Sequence, residues 1–187
     1  MPYLALAVRC LIGAVFLASA LSKVSGRRAL PAFVASLRAL RLLPARAVKP
    51  VAVLIVATEF TLCGLLAAPV PTAAAVGLAG AAALLLVFAA GIGTAVRRGT
   101  SAPCRCFGAS TTPLGGRHVA RNLLLAGIAG LAAPATAPGV GGATPTGLLL
   151  AATAGLVVAA LVVALDDLAA LFTAVPQRPT GDSPRGH

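Results

Sequence analysis

The sequence predicts an all-α protein, an integral membrane bundle of four to five transmembrane helices with an additional interfacial amphipathic helix. Of the 187 residues, 59% are hydrophobic and 10% are charged, whereas about a quarter of the residues in soluble domains are charged. The mean hydropathy is +0.98. A helix needs about twenty apolar residues to cross the hydrocarbon core. Five segments reach or approach that length: residues 3–21, 50–68, 72–96, 119–133 and 147–165.

The first two segments each contain an ionisable residue, Arg9 in 3–21 and Glu59 in 50–68. Such a group is costly inside a span and normally faces the bundle interior with a partner. Because Arg9 and Glu59 lie about one helical turn apart in depth, a salt bridge between them is predicted, with a proton or quinone site as the functional alternative. The first segment also has a signal-like Ala18-Ser19-Ala20, but the weak positive charge before it favours a retained helix.

The last three segments differ in how firmly they predict a span. Residues 72–96 are uncharged and predict a helix most firmly, whereas 119–133 is short and has Arg121-Asn122 in its first turns. Segment 147–165 is followed by Asp166-Asp167, which we expect to close the helix. Helices in lipid associate through close backbone approach, so their Gly/Ala faces are the expected contacts, including contacts in an oligomer. The glycines concerned are Gly77, Gly80, Gly91, Gly93, Gly127 and Gly130.

Residues 27–43, between the first two segments, are too charged to cross the membrane, but their apolar residues recur at helical spacing. Arg38 and Arg41 flank this apolar stripe, as in a helix that lies along anionic headgroups; a plain connecting helix is the alternative. The stripe consists of Leu30, Phe33, Val34, Leu37 and Leu40. A transmembrane domain is expected over residues 1–172, followed by a disordered polar tail at 173–187.

The net charge of +11 does not indicate nucleic-acid binding, because Lys and Arg lie between apolar segments. They cluster at residues 23–49, at 97–121 and in the tail, while the connections 68–71 and 134–146 carry no charge. Positively charged loops stay in the cytoplasm. The sequence therefore predicts a multi-pass membrane protein with its N-terminus outside and the connection after residue 97 on the cytoplasmic side.

That connection contains Cys104-Arg105-Cys106-Phe107-Gly108. Two thiols one residue apart predict a redox pair, because a disulfide in so small a ring is strained and easily reduced, and Arg105 favours the reactive thiolate. A zinc site is disfavoured, because His118 is the nearest further ligand and the connection holds no Asp or Glu. Cys10 and Cys63 lie inside spans, where a cysteine is usually a small hydrophobe; pairing or relay as secondary thiols is the alternative.

A set of residues spread over the predicted helices and this connection forms a recognisable combination. It consists of Arg9, Gly13, Phe16, Ser19-Ala20-Leu21-Ser22-Lys23, Glu59, Cys104-Arg105-Cys106-Phe107-Gly108 and Arg121-Asn122. On these residues the chain resembles the MauE family of methylamine-utilisation membrane proteins, relatives of DoxX, over about residues 1–165. The resemblance implies a DoxX-type bundle that supports maturation of the disulfide-rich small subunit of methylamine dehydrogenase. Arg105 is a departure, since relatives often have Gly there, and it is expected to alter the redox poise.

These observations and the resemblance together predict a multi-pass protein of a bacterial cell membrane with thiol/disulfide redox chemistry and oxidoreductase-like exchange at Cys104 and Cys106. Arg9, Lys23, Glu59, Arg121 and Asn122 are the expected intramembrane polar residues. The expected partners are a thiol protein and membrane lipid, and a quinone is the candidate electron acceptor. A non-enzymatic assembly factor or small-molecule carrier with incidental cysteines is the alternative. One conflict remains, because disulfides persist in exported proteins outside the cytoplasm, whereas the charges place these cysteines inside.

Overall fold

The computed structural model describes residues 2–99, 115–134 and 144–172, with side chains described up to residue 164. This part of the chain contains six helices and no strand. The all-α prediction is therefore confirmed. The helices are α1 (Pro2–Val24), α2 (Ala29–Ala39), α3 (Ala45–Ala67), α4 (Pro71–Arg97), α5 (Gly116–Ala132) and α6 (Pro145–Phe172).

Four of these helices, α1, α3, α4 and α6, are long and apolar enough to cross a membrane. At 17 residues, α5 lies at the lower limit of the roughly 17–25 residues that span a bilayer, and it packs along α4. The structure is thus a multi-pass helical membrane bundle of the predicted size. Large apolar side chains cover its outer surface, including Leu54 on α3, Val87 on α4 and Leu150 on α6, and these contact lipid.

Two helix boundaries differ from the sequence prediction by five residues or more. Helix α3 begins at Ala45, five residues before the predicted start, because Pro50 removes one helical hydrogen bond in the second turn without ending the helix. Helix α6 continues to Phe172, so the expectation that Asp166-Asp167 closes it is wrong. The next helix breaker in the sequence is Pro176, and aspartates alone do not end a helix. The predicted tail at 173–187 lies outside the described residues.

Helix α1 is the centre of the bundle and contacts each of the other five helices. Its side chains Ile12, Val15 and Phe16 are fully buried, packed with apolar residues of α3, α4, α5 and α6. Because lipid is as apolar as this core, close packing rather than water exclusion holds the helices together. The first apolar segment is therefore the axis around which the other helices assemble.

Close backbone approach occurs at some of the predicted glycines. A Cβ atom on Gly80 would lie 2.8 Å from Cδ2 of Leu62, and one on Gly77 would lie 3.1 Å from Leu66 of α3. A Cβ on Gly91 or Gly130 would make only ordinary van der Waals contacts. The contacts expected of Gly93 and Gly127 are absent, because no described residue lies within 4 Å of a Cβ at either position. The tightest approach was missed: a Cβ on Gly155 of α6 would overlap the carbonyl oxygen of Ala7.

The predicted amphipathic helix is confirmed as α2. Its Phe33 is buried in a small cluster with Ala52 and Val56 of α3, while Arg38 is exposed. The remaining residues of the stripe are buried or partly buried, so this helix lies across the outer surface of α3 with its apolar side inward.

Helices α1, α3, α4 and α5 run alternately up and down, and this decides which helix termini lie at the same end of the bundle. Helix α3 is antiparallel to α1, because Lys23 pairs with Glu59 while Arg9 reaches Leu66. A three-residue connection at 68–70 turns α4 back along α3, and α5 returns beside α4. Hence α1 and α4 end, and α3 and α5 begin, at one end of the bundle, called here the basic end. This grouping of the basic connections at one end agrees with the sequence prediction.

Candidate functional site

A buried ion pair joins α1 to α3. The Lys23 Nζ lies 2.8 Å from Oε1 and 3.0 Å from Oε2 of Glu59, and the two side chains are 1% and 0% exposed. Removing either charge from water is expensive, so such a pair is stable only with close geometry and further hydrogen bonds. Both conditions are met here.

The hydroxyl of Ser19 closes this pair into a triangle. Ser19 Oγ donates to Glu59 Oε1 at 2.9 Å and accepts from Lys23 Nζ at 2.6 Å. Lys23 also donates to the Ser19 carbonyl oxygen at 3.3 Å. Because Ser19 and Lys23 are four residues apart on α1, they lie on the same helix face, and α3 needs to supply only the carboxylate. These three residues are called the buried triad below.

An aromatic ring covers the buried triad from α2. The Lys23 Nζ lies 5.1 Å from the centroid of the Phe33 ring, within the roughly 6 Å range of a cation–π contact. Phe33 is itself 2% exposed. The interfacial helix therefore shields the ammonium group, and three helices contribute to one polar site.

The predicted salt bridge between Arg9 and Glu59 is wrong. Arg9 donates from Nε and Nη2 to the carbonyl oxygen of Leu66, at 3.1 and 2.7 Å, and from Nη2 to that of Ala68 at 2.7 Å. The last carbonyls of a helix have no partner within it and carry partial negative charge, so the C-terminal end of α3 binds the guanidinium. Leu66 lies seven residues after Glu59, about 10 Å along α3. Arg9, which binds at Leu66, is therefore far from the Glu59 carboxylate, and Lys23 pairs with that carboxylate instead.

A second polar position lies where α5 begins, at the basic end. Asn122 is fully buried and His118 is 3% exposed, and Asn122 Nδ2 donates to the His118 carbonyl oxygen at 2.7 Å. No described residue donates a hydrogen bond to the Asn122 side-chain oxygen. Arg121, between them, is partly buried. Asn122 was predicted as an intramembrane polar residue, whereas His118 was considered only as a metal ligand.

The two cysteines inside spans contact different helices. The Cys63 thiol donates to the Gly13 carbonyl oxygen of α1 at 3.8 Å, whereas the Cβ of Cys10 lies against Gly155 of α6. Both are free thiols. The alternative that Cys10 and Cys63 pair is therefore not realised, because helix packing turns them toward different neighbours.

The redox pair predicted at Cys104 and Cys106, with Arg105, lies outside the described residues. The helices on either side of it are described: α4 ends at Arg97 and α5 begins at Gly116, both at the basic end. The described residues contain no group of three or more His, Cys, Asp or Glu that would hold a metal ion.

The buried triad is best suited to holding helices together. Its hydroxyl, ammonium and carboxylate groups are hydrogen-bonded to one another and almost completely buried. Sequence reasoning found Lys23 and Glu59 individually but gave Glu59 the wrong partner, and it did not assign contacts to Ser19 or Phe33. The spacing of Ser19 and Lys23 on one face of α1 is the signal that would have found them.

The fold and this site can now be compared with known proteins. The family model described as methylamine utilisation protein MauE matches residues 1–135. The methylamine utilization protein MauE of Paracoccus denitrificans is 38% identical over 162 residues, which cover 83% of this chain and 84% of the relative. The chain belongs to the MauE family. The resemblance seen in the sequence is thus confirmed.

The part matched by the MauE model includes α1 to α5 and ends before α6. It contains the buried triad, Asn122 and the Cys104-Arg105-Cys106 element. No solved structure matches this chain. As a MauE family member, the protein is associated with methylamine utilisation.

Proposed function

We propose that the protein carries out thiol/disulfide chemistry at a bacterial cell membrane through Cys104 and Cys106, and thereby supports maturation of a partner protein in methylamine utilisation. The observation that carries the proposal is the position of Cys104-Arg105-Cys106. It lies within the residues matched by the MauE model and between two helices whose neighbouring ends are at the basic end. A partner can approach a connection at the end of a bundle more easily than a thiol inside a span.

The proposed step is an exchange of one disulfide. A thiolate of the partner attacks the Cys104–Cys106 disulfide, which breaks that bond and forms a mixed disulfide. A second thiolate of the partner then attacks the partner sulfur of the mixed disulfide and releases the cysteine of this protein. The partner thereby gains a disulfide, while Cys104 and Cys106 gain two electrons and two protons and become thiols. A membrane quinone is the proposed acceptor that restores the pair, by taking the two electrons and two protons to become a quinol.

The charges beside the connection support this chemistry. Arg97 and Arg98 are exposed where α4 ends, and Arg117 is exposed where α5 begins. Positive charge near a cysteine lowers its pKa and raises the reactive thiolate fraction. We infer that Arg105 has the same effect from within the dithiol element.

The buried triad supports the proposal as a positioning element. Lys23 and Glu59 hold the end of α1 against α3, and α1 also contacts α4 and α5. The helices that flank the connection are therefore packed on a frame fixed by an ion pair. In this role Lys23 and Glu59 exchange no electrons themselves.

We propose that the basic end faces the cytoplasm, because Lys and Arg are retained on that side. Labelling with a membrane-impermeant thiol reagent, before and after reduction of the Cys104–Cys106 disulfide, tests this orientation in intact cells and in opened membranes. Labelling of Cys104 and Cys106 only after opening supports the cytoplasmic side. Labelling in intact cells would reverse the orientation and would favour a client that is oxidised after export.

The proposed function predicts that the double variant C104S/C106S fails to support growth on methylamine in a bacterium that lacks its own MauE. The matched control C10S/C63S also removes two thiols and is expected to retain growth. Membrane levels of both variants, measured by immunoblotting, show whether each accumulates normally. Normal growth of C104S/C106S would instead support the non-enzymatic assembly factor or carrier.

A further inference from the structure

An apolar cavity of about 200 Å³ lies between α2, the turn that follows it, α3 and α4. Every residue that lines it is apolar, with Phe33 and Leu37 from α2, Leu42 from the turn, Val51 from α3, and Val87 and Gly91 from α4. Pockets for drug-sized ligands are usually about 300–1,000 Å³. The size and lining of this cavity suit a segment of hydrocarbon chain better than a compact polar ligand.

The cavity opens on the side of the bundle that contacts lipid. Val87 lines the cavity and is 63% exposed, and Leu86 beside it on α4 is also exposed. A chain already in the bilayer can therefore enter from the side, without crossing water. This favours an occupant that is itself a component of the membrane.

The turn after α2 contributes three leucines to the cavity lining and leaves the arginine between them exposed. Arg41 has a φ of 51°, a left-handed conformation that is unfavourable for a residue with a side chain. The resulting turn lets Leu40, Leu42 and Leu43 all line the cavity, while Arg41 between them is exposed. The strained turn thus carries an exposed positive charge within a sequence of residues that line the cavity.

Four exposed basic residues lie within three positions of a lining residue in the sequence: Arg38, Arg41, Arg46 and Lys49. No Asp or Glu precedes Glu59 in the chain, and Glu59 is buried with Lys23. These positive charges therefore have no acidic neighbour in the same region of sequence. Clusters of Lys and Arg at the membrane surface attract anionic lipid headgroups.

We propose that this cavity binds one acyl chain of an anionic phospholipid, whose phosphate is held by Arg38, Arg41, Arg46 and Lys49. Lipid binding at this site does not depend on redox chemistry at Cys104 and Cys106. Its occupant packs against Phe33, the ring that covers Lys23. Bound lipid therefore holds α2 in place over the buried triad.

Native mass spectrometry of the purified full chain in neutral detergent tests the proposal, with equal amounts of dioleoylphosphatidylglycerol and dioleoylphosphatidylcholine. The wild-type protein is expected to retain phosphatidylglycerol several-fold more than phosphatidylcholine. G91L is expected to lose that retention, because a Cβ on Gly91 lies 3.6 Å from Cδ1 of Leu42 and a larger side chain fills the cavity. G93L is the matched control on α4, since nothing lies within 4 Å of a Cβ there among the described residues.

The headgroup contacts are tested by the variant R38Q/R41Q/R46Q/K49Q, which is expected to bind both lipids equally. Equal retention of both lipids by the wild type would overturn the proposal. Unchanged phosphatidylglycerol binding by G91L would also overturn it, because binding would then involve the headgroup alone.

A crosslinking measurement on the wild-type chain keeps the test independent of variant folding. Phosphatidylglycerol with a diazirine near the end of one acyl chain is expected to label peptides that contain Leu37, Val51 or Gly91. Labelling confined to other helices would contradict the proposal. Two competitors distinguish the occupants of the cavity. If added menaquinone abolishes this labelling and added unlabelled phosphatidylglycerol does not, the cavity binds a prenyl chain instead.

Discussion

The two ends of α1 bind cationic side chains in different ways. Near its start, Arg9 is partly buried and donates three hydrogen bonds to the carbonyl oxygens of Leu66 and Ala68. Near its end, Lys23 is 1% exposed and pairs with the carboxylate of Glu59. Both residues hold α1 against α3, but one uses the end of a helix and the other uses a counter-ion.

Depth in the bundle explains the difference. The carbonyl groups at the end of α3 carry only partial charge, which suffices for a guanidinium that remains partly accessible. An ammonium that is removed almost completely from solvent needs a full opposite charge and additional hydrogen bonds. Replacing each residue in turn should therefore have unequal effects on stability.

The largest effect is expected for Glu59→Gln, which leaves the Lys23 ammonium buried without a counter-ion. Breaking a buried pair in this way typically costs about 3–5 kcal/mol. Unfolding of the detergent-solubilised protein, followed by circular dichroism, measures the loss. The exposed Thr61, whose hydroxyl bonds to its own helix, provides the control T61A, for which little change is expected.

A second variant shows whether the cost comes from charge imbalance. Exchanging both members for apolar residues of similar length, in K23M/E59M, is expected to recover most of the stability lost in E59Q, because neither charge then remains buried. If the double variant is as unstable as E59Q, the lost packing and hydrogen bonds outweigh the unpaired charge.

A smaller effect is expected for Arg9→Met, which removes the hydrogen bonds to Leu66 and Ala68. Hydrogen bonds from a charged donor contribute about 1.5–3 kcal/mol, and a loss in the lower part of this range is expected because Arg9 is only partly buried. The same unfolding measurement applies. R9K retains the charge and one donor group, so it should lie between wild type and R9M. A loss for R9M larger than that for E59Q would contradict the difference between the two ends.

The smallest effect is expected for Ser19→Ala, which removes the hydroxyl from the buried triad but leaves Lys23 and Glu59 paired. Ser19 Oγ makes two hydrogen bonds in the triad, but Lys23 and Glu59 keep their direct bonds to each other, so a net loss of about 1 kcal/mol is expected. The control is S22A, since Ser22 bonds only to the backbone oxygen of Ser19 among the described contacts. Equal losses for S19A and S22A would show that the triangle adds nothing to the ion pair.

Much of this fold follows from the sequence, because apolar length and charge position are strong signals in membrane proteins. Residues 72–96 predicted α4 almost to its ends, and the stripe around Phe33 predicted α2. The predicted end of α6 was wrong because two charged aspartates, Asp166 and Asp167, do not by themselves stop a helix.

The site was less predictable than the fold. The sequence identified Arg9, Lys23 and Glu59 as costly intramembrane groups, but pairing Arg9 with Glu59 ignored the free carbonyl groups at the end of α3. Those groups belong to the backbone and appear in no side-chain pattern. Likewise, Gly155 against Ala7 depends on how two distant helices cross, which composition and spacing do not specify.

The most direct test of thiol/disulfide function is capture of a mixed disulfide with the partner. In a C10S/C63S background, C106S leaves Cys104 alone and C104S leaves Cys106 alone, so a mixed disulfide formed on addition of the thiol oxidant diamide cannot revert by attack of the second cysteine. Acid quenching protonates the partner's second thiol, which would otherwise displace the bond. At least one of them is expected to give a larger, reductant-sensitive band on a non-reducing immunoblot of methylamine-grown cells, absent when both cysteines are replaced. No such band from either variant, together with normal growth of C104S/C106S, would contradict redox function in this member of the MauE family.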